Sequence, residues 1–284
     1  MEYKAITLDE EVLRMTAPAH IPEMMKDNRY EIAFYGGFEE DALVCYAVFS
    51  HLPESRRRDV FLEHLYTVPE RRGEGRCGEL LAFCKKHLKE LGSEALIAKN
   101  QLQPEYAVEY NEFMQKQGFL PLNLTDRLLL YRLVDLERPG SMQMVLDNMD
   151  RLPPVLDLKQ AGEARVREFL KDMGQTETAL AEKDQLYSRF FLNGKKVSGA
   201  LIASALDEDT LLISGVYLDD LAKQNNMFLE IFSASLDAAK KDLGEDMTIY
   251  FLVGDEDTYE GLLRVFLPPQ EEYLVMEHMM PLTF

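Results

Sequence analysis

The sequence predicts an α+β (mixed αβ) protein of two similar domains, each a mixed, mostly antiparallel sheet flanked by helices. Three observations carry that expectation. Strand-like runs in the first half are joined by short turns, as antiparallel neighbours are. One of these runs passes through a helix into the next strand, which is the connection of a parallel pair. The same order of elements then restarts about 150 residues downstream.

The first half reads as follows. A short strand at 3–7 opens the chain, and residues 9–26 have helical character interrupted by Pro18 and Pro22, which implies two short helices. Residues 30–35 and 42–49 alternate as strands around GGFEED, a glycine-led turn, and 60–68 is the next strand. The helix that follows carries Cys77, Leu80, Leu81, Cys84, Leu88 and Leu91 on one stripe and stops at Gly92. A strand at 95–98, a helix at 106–116 and a final strand at 128–134 complete this half.

Pro139-Gly140 and Pro153-Pro154 bracket a Met-rich linker, which places the domains at 1–136 and 155–284 with 137–154 between them. Beyond it come strands at 155–158, 185–192, 197–205, 211–218, 247–253 and 273–279, with helices at 161–173, 227–242 and 258–266. Asn193-Gly194 marks one hairpin turn among them.

Composition narrows the function. With 284 residues, 46% of them hydrophobic, the chain can bury cores without covalent staples. Its net charge of −19 is shared unevenly, −6 in residues 1–140 and −13 in the remainder. A chain this acidic, with no sustained basic run, is not built to neutralise a nucleic-acid backbone. It suits cationic partners such as amines. No signal peptide opens it, and no apolar run reaches the roughly 18 residues that span a bilayer, so a cytoplasmic protein with no membrane partner is expected. Cys45, Cys77 and Cys84 lack both the number for a disulfide framework and the spacing for zinc, and read as small buried thiols; no metal site is expected.

The stretch LYTVPERRGEGRCGELL, residues 65–81, concentrates the chemistry. An apolar strand enters a loop of glycines and arginines that opens directly into an amphipathic helix. Helix N-termini offer unpaired N–H groups and the positive end of the dipole. Gly73, Gly75 and Gly78 would let a polyanion approach the backbone, and Arg71, Arg72 and Arg76 supply charge. The spacing alone equally describes a glycine-rich turn with solvated arginines. It is neither a Walker loop nor G-x-G-x-x-G.

At these residues the chain resembles the acetyl-CoA-dependent N-acetyltransferase (GNAT) superfamily in a tandem, two-domain form. That signature is a strand ending in Val, a short Pro-containing turn, then Arg/Gln-x-x-Gly-x-Gly/Ala at a helix start. Here Val68-Pro69-Glu70 leads into Arg72-Gly73-Glu74-Gly75-Arg76-Cys77, with Cys77 at the Gly/Ala position and Glu74 expected to point to solvent. A second landmark, an aromatic-Tyr-x-Lys-x-Gly-Phe helix end, matches Phe113 to Phe119 except that Met114 replaces the Tyr.

The resemblance implies acetyl-CoA as cosubstrate and an amine acceptor, small molecule or peptide. It implies that the strands before the loop and from Ala95 splay apart. The backbone of Tyr66, Thr67 and Val68 would then hold the pantetheine arm, and Arg72, Gly73, Gly75, Arg76, Cys77 and Gly78 the pyrophosphate. Family members often carry a base on the strand before the loop, which makes Glu63 the first candidate and His64 the second. Strand alternation would put Glu63 with Leu65 and Thr67, and His64 with Leu62, Tyr66 and Val68. Tyr110, one turn before the vacant Tyr position, is the candidate acid.

At a separation of 150 residues VPERRGEGRCGELL falls on LDDLAKQNNMFLEI, which keeps the strand and helix but no glycine or arginine. The second domain is therefore expected to be a degenerate copy that does not bind CoA and walls the acceptor side. Two functions stay open: an N-acetyltransferase acting on a primary amine, or a catalytically silent acyl-CoA-binding or protein-interaction module of the same fold.

Overall fold

The computed structural model describes residues 1–7, 10–18, 20–53, 58–136, 154–175, 180, 186–224 and 227–282. The expected linker at 137–154 lies, except for Pro154, outside the described residues.

The chain forms two compact units. The first comprises Met1–Leu124 and Leu274–Phe284, the second Thr125–Tyr273. Unit 1 contains β1 (Glu2–Ile6), α1 (Glu10–Thr16), α2 (His20–Met24), β2 (Glu31–Glu39), β3 (Ala42–His51) and β4 (Asp59–Thr67). A 3-10 turn (Pro69–Arg71), α3 (Arg76–Glu90), β5 (Ala95–Leu102) and α4 (Pro104–Lys116) follow. Two further strands straddle the division between units, β6 (Leu120–Arg132) and the last strand of the chain, β12 (Glu271–Pro281).

Unit 2 contains α5 (Leu133–Leu136), β7 (Val155–Leu156), α6 (Leu158–Ala161), α7 (Glu163–Asp172), β8 (Arg189–Asn193), β9 (Lys196–Ala205) and β10 (Thr210–Leu218). It continues with α8 (Asp220–Gln224), α9 (Met227–Leu243), β11 (Thr248–Val253) and α10 (Glu256–Val265).

The strand order is β1-β2-β3-β4-β5-β12 in unit 1 and β7-β8-β9-β10-β11-β6 in unit 2. Every described neighbour pair is antiparallel except β4 with β5 and β10 with β11, the two connected through a helix. The two sheets share one topology, as the repeat requires.

The sixth strand of each sheet is exchanged. The domain division read from the sequence gave residues 128–134 to the first domain and 273–279 to the second. Instead residues 127–132 of β6 pair with β11, and residues 274–281 of β12 pair with β5. Leu129 and Tyr131 accordingly belong to the unit 2 core, whereas Met280 and Leu282 pack with Leu80, Leu96 and Phe119 in unit 1.

Several local expectations change for identifiable reasons. Gly36 and Gly37 are strand residues, paired with Lys4 and Tyr3 of β1 and with Tyr46 and Cys45 of β3, and a Cβ on either would lie 2.8 Å from Ile6 and Leu43 or from Cys45 and Tyr3. The β2–β3 turn is Glu40-Asp41, both at positive φ (48° and 68°), as a two-residue hairpin connection requires. On α3 the buried stripe is Leu80, Leu81, Cys84 and Leu88, while Leu91, past the helix end, is exposed.

Opposite faces of the unit 1 sheet carry separate cores. Val60, Leu62, Leu65 and Phe49 pack under α3, whereas Val48, Tyr46, Phe34 and Tyr66 pack with Leu13 and Ile21 of the first two helices. Among the described residues no helix is long and apolar enough to cross a membrane.

Candidate functional site

The site begins where β4 loses a neighbour. Its parallel pairing with β5 covers only residues 59–62 against 95–98, while β3 continues along its other edge to the Cys45–Thr67 pair. The Val68 N–H donates to the Val44 carbonyl at 2.9 Å. Ladder alternation therefore turns the peptide groups of Tyr66 and His64 toward β3 as well, and those of Leu65 and Thr67 toward the edge that β5 has left. Of the three expected strand contacts only Thr67 presents its peptide there; Leu65, which the sequence did not single out, joins it.

A cleft of about 640 Å³ opens at this edge. Its walls are the end of β4, from His64 to Thr67, and the glycine–arginine loop, with Thr16 of α1 and Phe113 of α4 added by tertiary packing. Gly73 and Gly75 adopt φ of 82° and 81°, a conformation that favours glycine, and no atom lies within 4 Å of where a Cβ would stand on either. Gly75 is the N-cap of α3, and no side chain caps this end, so first-turn amides face the loop.

The arginines are not free. Glu39 of β2 takes Arg71 in a short contact and Arg76 at 2.9 Å. Glu74 is exposed, as expected, yet its carboxylate lies 3.0 Å from Arg71 Nε and 3.4 Å from Arg76 Nε, so it also belongs to this cluster. Glu79 reaches Arg76 at 3.4 Å and accepts the Tyr3 hydroxyl at 2.5 Å. Arg72 is different: its Nε donates to the Thr67 carbonyl at 3.1 Å and its guanidinium lies 6.0 Å from the centre of the Tyr66 ring. Cys77, in contact with Thr67 Oγ1 at 2.7 Å, has its thiol pKa pushed up by burial and stays protonated.

The alternation expected along β4 fails at Glu63. His64 opposes Val48 and Leu62 opposes Phe49, so Glu63 is the extra residue of a β-bulge. The bulge puts Leu62 on the same face as Leu65 and sends His64 and Tyr66 to the other. The Glu63 carboxylate accepts from Ser50, whose place after Phe49 on β3 puts it on the α1 face.

His64 lines the cleft. Its Nε2 lies 3.0 Å from the Thr16 carbonyl, an acceptor, so Nε2 carries the proton and Nδ1 holds the lone pair in the neutral ring. Burial lowers its pKa, favouring that neutral form. Tyr46 and Tyr66 flank it, with ring centres 5.7 and 6.4 Å away.

Tyr110 packs against the core under α3, on the face opposite Glu63, so the structure does not bring these two candidates together. The Asn100 amide donates to the Tyr110 oxygen in a short contact, and the His278 ring stands edge-on at 5.6 Å. Burial raises the Tyr110 pKa. Met114 is fully buried in the same cluster.

Unit 2 repeats the frame without the cradle. β10 pairs with β11 over four residues, and Ser214 is the extra residue of a bulge opposite Ile202 and Ala203, as Glu63 is in unit 1. After β10, however, Asp219 accepts from Ser198 at 2.6 Å and from the Ala222 N–H at 2.9 Å, starting the short helix α8 where unit 1 has its open loop. Asn225 and Asn226 lie outside the described residues.

A mixed sheet with one splayed parallel pair, and a glycine loop opening a helix at the splay, is the architecture that the comparisons also find. Residues 5–119 match the Acetyltransferase (GNAT) family. That match spans less than half of the chain; over its whole length the chain, with its two units, is similar in fold to tandem GNAT proteins. No curated protein matches it by sequence.

Among solved structures it is similar to a tandem GNAT protein from the clavulanic acid biosynthesis pathway, at 11% identity and a TM-score of 0.56 over 100% of this chain and 99% of that one. It is also similar to a GCN5-related N-acetyltransferase from Sphaerobacter thermophilus, at 12% identity and a TM-score of 0.53 over 94% and 87% of the two chains. A third likeness is to the GCN5-related glucosamine N-acetyltransferase region of a fungal multi-domain GH3 beta-N-acetylglucosaminidase, with 12% identity, a TM-score of 0.58 and coverage of 98% of this chain and 38% of that one. At such identities the likeness is one of fold.

Proposed function

We propose that the chain is an N-acetyltransferase that takes acetyl-CoA in the unit 1 cleft and a primary amine, of a small molecule or peptide, as acceptor. The observation that carries this reading is the meeting, in one cleft, of an unpaired strand edge with an open glycine loop at a helix start. The residues fit the cosubstrate: the open cradle at Gly73 and Gly75 accommodates a diphosphate, and Leu65 and Thr67 offer peptide groups to an amide-bearing arm. Arg72, Arg76, Cys77 and Gly78 complete the loop, with Tyr66 and Val68 holding the strand to β3. Bound acetyl-CoA would supply the activated acyl group.

An alkylamine with a pKa near ~10.4 is only about one part in 10³ neutral at pH 7, so a proton acceptor is the group most needed. His64 supports that role best. It is neutral, lines the cleft, and its tautomer leaves Nδ1 to take the proton. Glu63, occupied by Ser50, is the second candidate. Tyr110, whose oxygen already accepts from Asn100, keeps its own O–H and is the group proposed to return a proton. Unit 2, with an acid-started helix in place of the loop, is proposed not to take CoA.

The buried Met114 favours a second reading, a silent acyl-CoA-binding or protein-interaction module, because a thioether cannot donate a proton. Thiol release from acetyl-CoA with a panel of polyamines, amino acids, aminoglycosides and peptides separates the two. Acceptor-dependent release supports the transferase; CoA binding with no release from any acceptor supports the silent module and overturns the transferase.

A further inference from the structure

Two of the three loop arginines, Arg71 and Arg76, are already engaged by anions that the protein itself supplies. Glu39 reaches from β2 to take Arg71, at the start of the loop, and Arg76, the first residue of α3. Glu74 sits between the same two guanidiniums, and Glu79 approaches Arg76 from the helix. Three carboxylates thus face two arginines. The Nε atoms of Arg71 and Arg76 are buried and lack a well-aligned hydrogen-bond acceptor, although Glu74 lies within ion-pair distance. Both guanidiniums therefore retain donor capacity that the carboxylates do not satisfy.

We infer that Glu39, assisted by Glu74, is an internal competitor for the cosubstrate's diphosphate, holding Arg71 and Arg76 until an anion of higher charge displaces it. This rests on the reading of the cleft as a CoA site. The pairs are partly exposed, and exposed pairs contribute little net stabilisation, so a diphosphate that also meets the helix amides can take the arginines over. The clasp then lowers affinity without blocking the site, and makes occupancy depend on the cosubstrate's concentration. Arg72, bound to a carbonyl and an aromatic face, is the cation it leaves for first encounter.

The test is calorimetric titration of the full chain and of Glu39→Gln and Glu39→Ala with CoA, with inorganic diphosphate, and with pantetheine, which carries no phosphate. Glutamine keeps the size and an acceptor oxygen while removing the charge; alanine removes the contact. Competition predicts that both variants bind CoA and diphosphate more tightly, with Kd roughly fivefold lower, and pantetheine unchanged. If Glu39 instead only ties the loop to β2, Glu39→Ala will bind CoA more weakly and Glu39→Gln about equally, which overturns the proposal. Equal or weaker diphosphate binding by both variants overturns it as well. Failure of the wild-type chain to bind CoA would refute the cosubstrate reading itself, and diphosphate would still report on the clasp.

Discussion

The exchange of terminal strands makes a prediction that neither domain considered alone would suggest. Leu282 lies at the very end of the chain, yet it is 6% exposed within the core that α3 and β5 build, and its N–H donates to the Glu94 carbonyl at 2.8 Å. Leu282→Ala removes buried methyl groups from a site lined by other core side chains, a change that typically destabilises by about 2–5 kcal/mol. A mid-range loss of about 3 kcal/mol would speed exchange roughly a hundredfold for amides that open only with unit 1. Hydrogen exchange followed by mass spectrometry on peptides from α3, β5 and β11 reads this directly. Faster exchange should be confined to α3 and β5. Loss of protection in β11, with α3 and β5 unchanged, would refute the assignment of the last strand to unit 1.

Other outcomes follow from the site. His64→Gln should lower acetyl transfer by about 10²- to 10⁴-fold while CoA affinity stays within twofold of wild type; steady-state kinetics beside calorimetry would show whether both hold. Gly75→Ala, at φ 81°, should cost about 1–2 kcal/mol of stability through backbone strain and weaken CoA binding by tenfold or more, since the added methyl enters an open cradle. Burial lowers the folded-state pKa of both His64 and His278. The unfolded chain therefore binds more protons between those lowered values and ~6.5, and stability should fall as pH drops through that window, as denaturant midpoints at several pH values would show. A flat profile below pH 6.5 would contradict the burial of these rings.

What could be read from the sequence was local. The loop needs glycine where φ is positive, its arginines are adjacent in the chain, and the apolar stripe of α3 has the period of a helix, so each could be seen without knowledge of the fold. The repeat was visible for the same reason. The strand exchange was not: β6 and β12 are both apolar strands following a helix, and nothing in either pattern says which sheet edge it joins. Alternation along β4 failed because a bulge adds one residue at Glu63 and reverses every side chain beyond it. Glu39, Ser50 and Asn100 carry no motif, and only the register of β2, β3 and β5 brings them to Arg71, Glu63 and Tyr110.

The most direct test of the account is the stoichiometry of CoA binding by the whole chain, measured calorimetrically for wild type and for Arg72→Ala. One CoA per chain, with affinity reduced at least tenfold by the substitution, is the predicted result. No binding at millimolar CoA, two molecules per chain, or a single site indifferent to Arg72 would contradict a cosubstrate site built on the unit 1 loop.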